Sequence, residues 1–211
     1  MDINLYIQAI VAIMVITDPL TRGVYFRQLT VNEPERRPQY IRTITIVVGV
    51  TLAGSALIGK QLLDLMGIDL GAFGVAGGLI VALMGFQMLF MGEPSGPQGG
   101  KEATEVSEKS QESFAESVIV PYSIPFVAGP GAITTVITIS SSTSDWQGTI
   151  AALIGVLIVV ILTPIGYTLI ASHFNPSPQL EKLMTKIGGL LVATIGIQLM
   201  LGGIQRFFLG G

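Results

Sequence analysis

Runs free of Asp, Glu, Lys and Arg recur along the chain, at residues 3–17, 43–59, 70–92, 117–144, 146–180 and 187–205. A helix rises about 1.5 Å per residue, so about 20 apolar residues cross a bilayer's hydrocarbon core. The pattern therefore predicts six membrane-spanning helices, with the long runs trimmed and the first extended. The runs are uniformly apolar and do not alternate, which argues against barrel strands. Asp2 stands where a secretory leader would carry basic residues, and no small-x-small site follows, so the first run is expected to remain as a span.

The charges between the runs give an orientation. Arg27, Arg36, Arg37 and Arg42 flank the first loop, Lys101 and Lys109 lie in the central one, and Lys182 and Lys186 precede the last span. The other side has only Lys60 and Arg206. The positive-inside rule then puts both termini outside the cytoplasm. Residues 93–117, with six glutamates and the run 94–100 rich in Pro and Gly, read as a cytoplasmic acidic linker. Composition agrees with membrane embedding: 50% of residues are hydrophobic, 12% are charged and the mean hydropathy is +0.68. The absence of cysteine excludes disulfides and thiolate sites, and a single histidine makes no zinc site by itself. No cofactor is expected. A net charge of -3 does not suggest a nucleic-acid partner.

Sliding the chain by 111 residues lays 77–92 on 188–203 with eight identities in sixteen positions, among them Gln87 on Gln198. The same offset lays Pro19 on Pro130. Each half then holds three spans, residues 1–92 and 118–211. Because three is odd, the second half enters the membrane from the opposite side. The predicted fold is an all-α membrane protein of six helices built as two inverted-topology repeats in one membrane domain, an arrangement common in secondary transporters. Gly78, Gly85 and Gly92 fall on Gly189, Gly196 and Gly203, a stripe that would let helices pack closely.

The first and fourth spans carry the candidate chemistry. Asp18 lies about 22 Å of helix rise into the first run and is followed by Pro19, an N-cap and N1 pairing that should break the helix and restart it near the midplane. Gly129-Pro130-Gly131 predicts the matching break in the fourth span. Helix restarts expose amide donors suited to a carboxylate, while Asp18 can accept from an ammonium or carry a proton or cation. A small zwitterion fits that pairing. The residues assigned to substrate are Thr17, Asp18, Pro19, Gly129, Pro130, Gly131 and Thr134, with Gln87 and Gln198. Asp18 and Arg22 are assigned to charge or coupling. Arg22 could pair with Asp18 or reach to the cytoplasmic side; Thr134 and Thr135 could bond a solute or their own helix. Pro164 is expected only to bend the fifth span.

On Asp18-Pro19-Leu20 and the segment 124–133, Ile-Pro-Phe-Val-Ala-Gly-Pro-Gly-Ala-Ile, supported by Gly77-Gly78 and Gly188-Gly189, the chain resembles the MarC-related family, also described as the six-span neutral amino acid transporter family. The resemblance covers essentially the whole chain. It implies a multi-pass protein of a bacterial or archaeal inner membrane, with small neutral amino acids such as glycine and alanine as substrates for some members. Family members commonly continue the first motif with Gly-Asn, whereas Thr21-Arg22 stands here. The expected function is a secondary transporter working by alternating access around the two breaks, with the bilayer as partner and a coupling proton or sodium ion and homo-oligomerisation left open. A passive channel and a non-transporting scaffold are the alternatives. No enzyme is expected: His173 has no evident nucleophile partner, and the near phosphate-loop at 54–61 ends in Gln61 where Ser or Thr is needed.

Overall fold

In a computed structural model of the chain, the structure describes residues 3–30, 34–90, 128–143, 145–173 and 177–209. These residues form the helices α1 (Ile3–Thr17), α2 (Pro19–Leu29), α3 (Arg37–Leu65), α4 (Leu70–Phe90), α5 (Pro130–Ser140), α6 (Trp146–His173) and α7 (Pro178–Leu209), with a 3-10 turn at Pro34–Arg36. Five stretches among the described residues are long and apolar enough to cross a membrane, and α5 is a shorter apolar helix. The first half of the predicted fourth span and the acidic linker 93–117 lie outside the described residues.

Helices α3 and α7 outrun the charge-free runs that predicted them. α3 begins at Arg37 and continues through Lys60, and α7 takes in Lys182 and Lys186. At 29 and 32 residues they extend about 44–48 Å, the thickness of the hydrocarbon core together with its headgroup layers. Their terminal charges therefore fall where long side chains reach water, so a charge does not mark the helix end. α6 is described to His173, within the charge-free run that reaches 180. Pro178 opens α7 at its first position, where the Leu180 N–H donates to the Ser177 hydroxyl at 3.4 Å.

α4 and α7 make the most extensive helix contact. A β-carbon on Gly71 would meet the Gly203 carbonyl at 2.7 Å, one on Gly78 the Gly196 carbonyl at 2.6 Å, and one on Gly189 the Gly85 carbonyl at 2.9 Å. The pairs progress in opposite senses, so the helices are antiparallel, with backbone against backbone as small residues allow. α3 packs on α6, α1 and α2 run along α6, and α5 lies against α3, α4 and α6 and touches α1. Ile13, Val48, Leu52, Val81, Val136, Val159 and Tyr167 fill the interior. Val50, Ile58 and Leu62 of α3, Leu157 and Ile161 of α6, and Leu190 and Leu201 of α7 are exposed. An apolar exterior spread over several long helices suits lipid contact.

Candidate functional site

A single residue, Asp18, separates α1 from α2. Pro19 brings no N–H, so the Val15 carbonyl lacks a donor four residues on, and the proline ring disfavours helical geometry at the residue before it. Asp18 takes a φ of 36°, the left-handed region that Asp visits more readily than most residues with a side chain. Its N–H donates to the Met14 carbonyl at 3.0 Å, the bond that closes a helix in an αL end. Its carbonyl accepts the Arg22 N–H at 3.2 Å. The expected N-cap is thus also the terminator of the helix before it, which is why its backbone is left-handed rather than extended.

The Arg22 side chain turns back to this interruption. Its Nη2 donates to the Ile16 carbonyl at 3.0 Å, at the carbonyl-rich, partially negative end of α1. Asp18 Oδ2 and Arg22 Nη1 are buried atoms on side chains that are themselves half-buried. Thr17 is fully buried and its hydroxyl donates to the Ile13 carbonyl at 2.8 Å. That proton is spent on α1, leaving Thr17 only acceptor capacity toward a solute.

The first turn of α5 adjoins the last turn of α1. Gly129 caps α5 in an extended conformation with ψ 177°, and its carbonyl accepts the Ile133 N–H at 3.1 Å. A β-carbon on Gly131 would lie 2.6 Å from Val81 Cγ2 and 3.9 Å from Ile16 Cγ2, so glycine is what lets α5 close on α4 beside α1. The amides of Gly131 and Ala132 belong to the first turn and have no partner within the helix pattern. Thr134 is buried over Gly77, occupying the space a β-carbon there would need. The Thr135 hydroxyl donates to the Gly131 carbonyl at 2.8 Å.

α6 supplies a residue that sequence reasoning missed. Gly155 receives Ile13 and Ala9, and a β-carbon on Gly166 would lie 3.7 Å from the Pro19 carbonyl oxygen. Thr163 stands one turn before Gly166 on α6. It is 1% exposed, and its hydroxyl has no hydrogen-bond partner among the described residues. The one signal in the chain was Thr163-Pro164 inside an apolar run, where the proline also strips the Val160 carbonyl of its helical donor.

The predicted residues thus divide. Thr17, Asp18, Pro19 and Arg22 lie at the interruption, and Gly131 reaches it only through Ile16; Thr134 turns toward α4, and Pro130 is exposed. Gln87 and Gln198 are both exposed and do not join them. Each follows a contact glycine, Gly85 or Gly196, by two residues, which is about 200° around the helix, the side away from the α4–α7 interface. Among the described residues no group of His, Asp and Glu is arranged to hold a metal ion.

Residues 3–208 match the family model described as MarC family integral membrane protein. The chain belongs to the MarC family. It is 29% identical to a UPF0056 membrane protein of Pyrococcus abyssi, over 94% of this chain and 93% of that one. It is 28% identical to the inner membrane protein MarC of Escherichia coli, over 92% and 91% of the two chains, and 27% identical to the membrane protein YhcE of Escherichia coli, over 99% and 96%. No solved structure matches. This MarC family chain is therefore an integral, multi-pass membrane protein with relatives in archaea and bacteria. Within it, the interruption holds a carboxylate, a guanidinium and the end carbonyls of α1, with the first turn of α5 beside Ile16.

Proposed function

We propose that this MarC family protein is a secondary transporter of small neutral amino acids, glycine and alanine in size, working by alternating access around the Asp18 interruption and the start of α5. The observation that carries the reading is the packing of Gly131 beside Ile16, the residue whose carbonyl takes the Arg22 guanidinium two positions before Asp18. The substrate carboxylate would meet the first-turn amides of Gly131 and Ala132 or the Arg22 guanidinium, and its ammonium would meet Asp18 and the terminal carbonyls of α1. A tight backbone around the site favours a small side chain.

The architecture we infer is two inverted three-span repeats, with the first and fourth spans broken near the midplane, both termini outside the cytoplasm and the linker 93–117 within it. Support comes from the 111-residue shift, which carries the bounds of α2 onto those of α5, and from the reciprocal contacts of α4 and α7. Repeats of this kind rock about a central site in many secondary transporters. A proton or sodium ion would supply the coupling.

Counterflow in reconstituted vesicles tests the function. Vesicles loaded with unlabelled glycine or alanine should accumulate the labelled amino acid transiently and saturably, and Asp18→Asn should impair it. Non-saturating flux with ion current would replace this reading with a channel. Failure of every small neutral amino acid to exchange would leave a scaffold.

A further inference from the structure

Toward the start of α1, helices α1, α5 and α7 border an open cleft of about 670 Å³. Much of its wall is apolar, yet each helix presents a polar stripe to it. Thr135, Thr138 and Ser142 follow one another at spacings of three and four on α5 and just past its end, Gln198 and Gln205 stand seven apart on α7, and Gln8 projects from α1. Arg206, near the end of α7, joins them.

Two features argue that water rather than lipid fills the cleft. Thr17, Thr45, Thr135 and Thr194 return their hydroxyls to their own helix four residues back. The Thr138 hydroxyl does not, and is buried with no partner among the described residues. Gln198 lies eleven residues, about 17 Å of helix, before the end of α7, deep enough that an amide facing acyl chains would be costly. The exposed amides of Gln8, Gln198 and Gln205, which all line this one space, are satisfied by water. The inner end of the cleft is Thr135, bonded to the Gly131 carbonyl in the turn that adjoins Ile16.

We propose that this cleft is a hydrated vestibule through which a small zwitterion passes between the interruption and the face of the molecule bearing the start of α1 and the end of α7. Arg206 draws the carboxylate in, and the Gln and Thr stripes replace its water as it descends. The solute rests on the transporter reading; the hydration does not.

The chain has no cysteine, so single cysteines report directly. Thr138→Cys, Gln198→Cys and Gln205→Cys, reconstituted and open to reagent from both sides, should react with a charged, water-soluble methanethiosulfonate at least about tenfold faster than Leu157→Cys on the exposed face of α6, because the reactive thiolate forms only in water. Glycine or alanine should slow the reaction at Thr138→Cys severalfold. Rates no faster than at Leu157→Cys overturn the vestibule. Fast labelling that neither glycine nor alanine slows overturns the solute route. Counterflow by the unsubstituted protein separates the two claims: flux without labelling removes the vestibule and keeps transport, and labelling with protection but no flux does the reverse.

Discussion

Gly78 and Gly196 face each other so closely that a β-carbon on either would strike the other's carbonyl oxygen, at 2.6 Å from Gly78 and 2.8 Å from Gly196. The 111-residue shift carries this pair onto Gly189 and Gly85, and that contact is also made. It likewise carries the contact of Gly85 with the Ala193 backbone onto that of Gly196 with the Ala82 backbone. A contact that maps onto itself in this way is the mark of a two-fold relation. Between antiparallel membrane helices such an axis lies across them, in the plane of the bilayer, and this supports the inverted-repeat reading.

The glycines at that seam leave no room for a side chain. Gly85→Val and Gly196→Val should each cost more than the 1–3 kcal/mol of ordinary overpacking, roughly, because the obstacle is backbone. Thermal unfolding of the purified protein in detergent should show a drop of several degrees or loss of folded material. Gly202 has nothing within 4 Å of the β-carbon position. Gly202→Ala should hold or raise stability, by about 0.5–1 kcal/mol from helix propensity. Equal tolerance at Gly85 and Gly202 would contradict the contact.

Asp18 combines a backbone role with a charge, and substitutions can part them. Asn keeps the tolerance for φ 36°, Gly relaxes it, and Val opposes it by about 1–2 kcal/mol. Asp18→Asn and Asp18→Gly should therefore unfold near the parent temperature, while Asp18→Val unfolds several degrees lower. All three lose the carboxylate and should lose counterflow. Retained flux in Asp18→Gly would show that the carboxylate is dispensable.

Much of this architecture is legible in the amino-acid sequence, for reasons that are local. A bilayer's thickness forces long apolar runs, so the spans stand out, and Pro19 acts on its immediate neighbours, so the interruption at Asp18 does too. Helix ends are misjudged at Arg37 and Lys182 because long charged side chains reach the interface from inside a helix. Gln87 and Gln198 are singled out by matching under the shift, which says nothing of the face they occupy; their 200° offset from the contact glycines does. Thr163 escapes notice because a threonine in an apolar run cannot be told from the back-bonding Thr17 or Thr135 until its neighbours are known.

Arg22 should answer to chemical rescue. Its guanidinium meets the Ile16 carbonyl, a charged hydrogen bond of about 1.5–3 kcal/mol, so Arg22→Ala should lower counterflow roughly ten- to a hundredfold if that end of α1 must be neutralised in every cycle. Free guanidinium ion can enter the vacated space and should restore part of the flux saturably, whereas sodium at equal ionic strength should restore less. Arg22→Lys keeps the charge but not the planar fork, and should fall between the parent and Arg22→Ala. Equal rescue by any salt would mean that ionic strength, not a positioned cation, is the cause.

Thr163 offers a test in which stability and function move in opposite directions. Valine matches threonine in shape, and the Thr163 hydroxyl is buried with no partner among the described residues. A buried hydroxyl left unpaired carries a desolvation cost of about 1–3 kcal/mol, so Thr163→Val should raise the unfolding temperature in detergent by a few degrees. If the hydroxyl instead waits for a solute, one turn along α6 from the Gly166 that faces Pro19, the same substitution should weaken half-saturation in counterflow severalfold. Thr163→Ser, which keeps the hydroxyl, should stay near the parent in affinity. A purely structural threonine predicts no change of affinity in either variant, and a Thr163→Val protein that is more stable and equally active would remove this residue from the site.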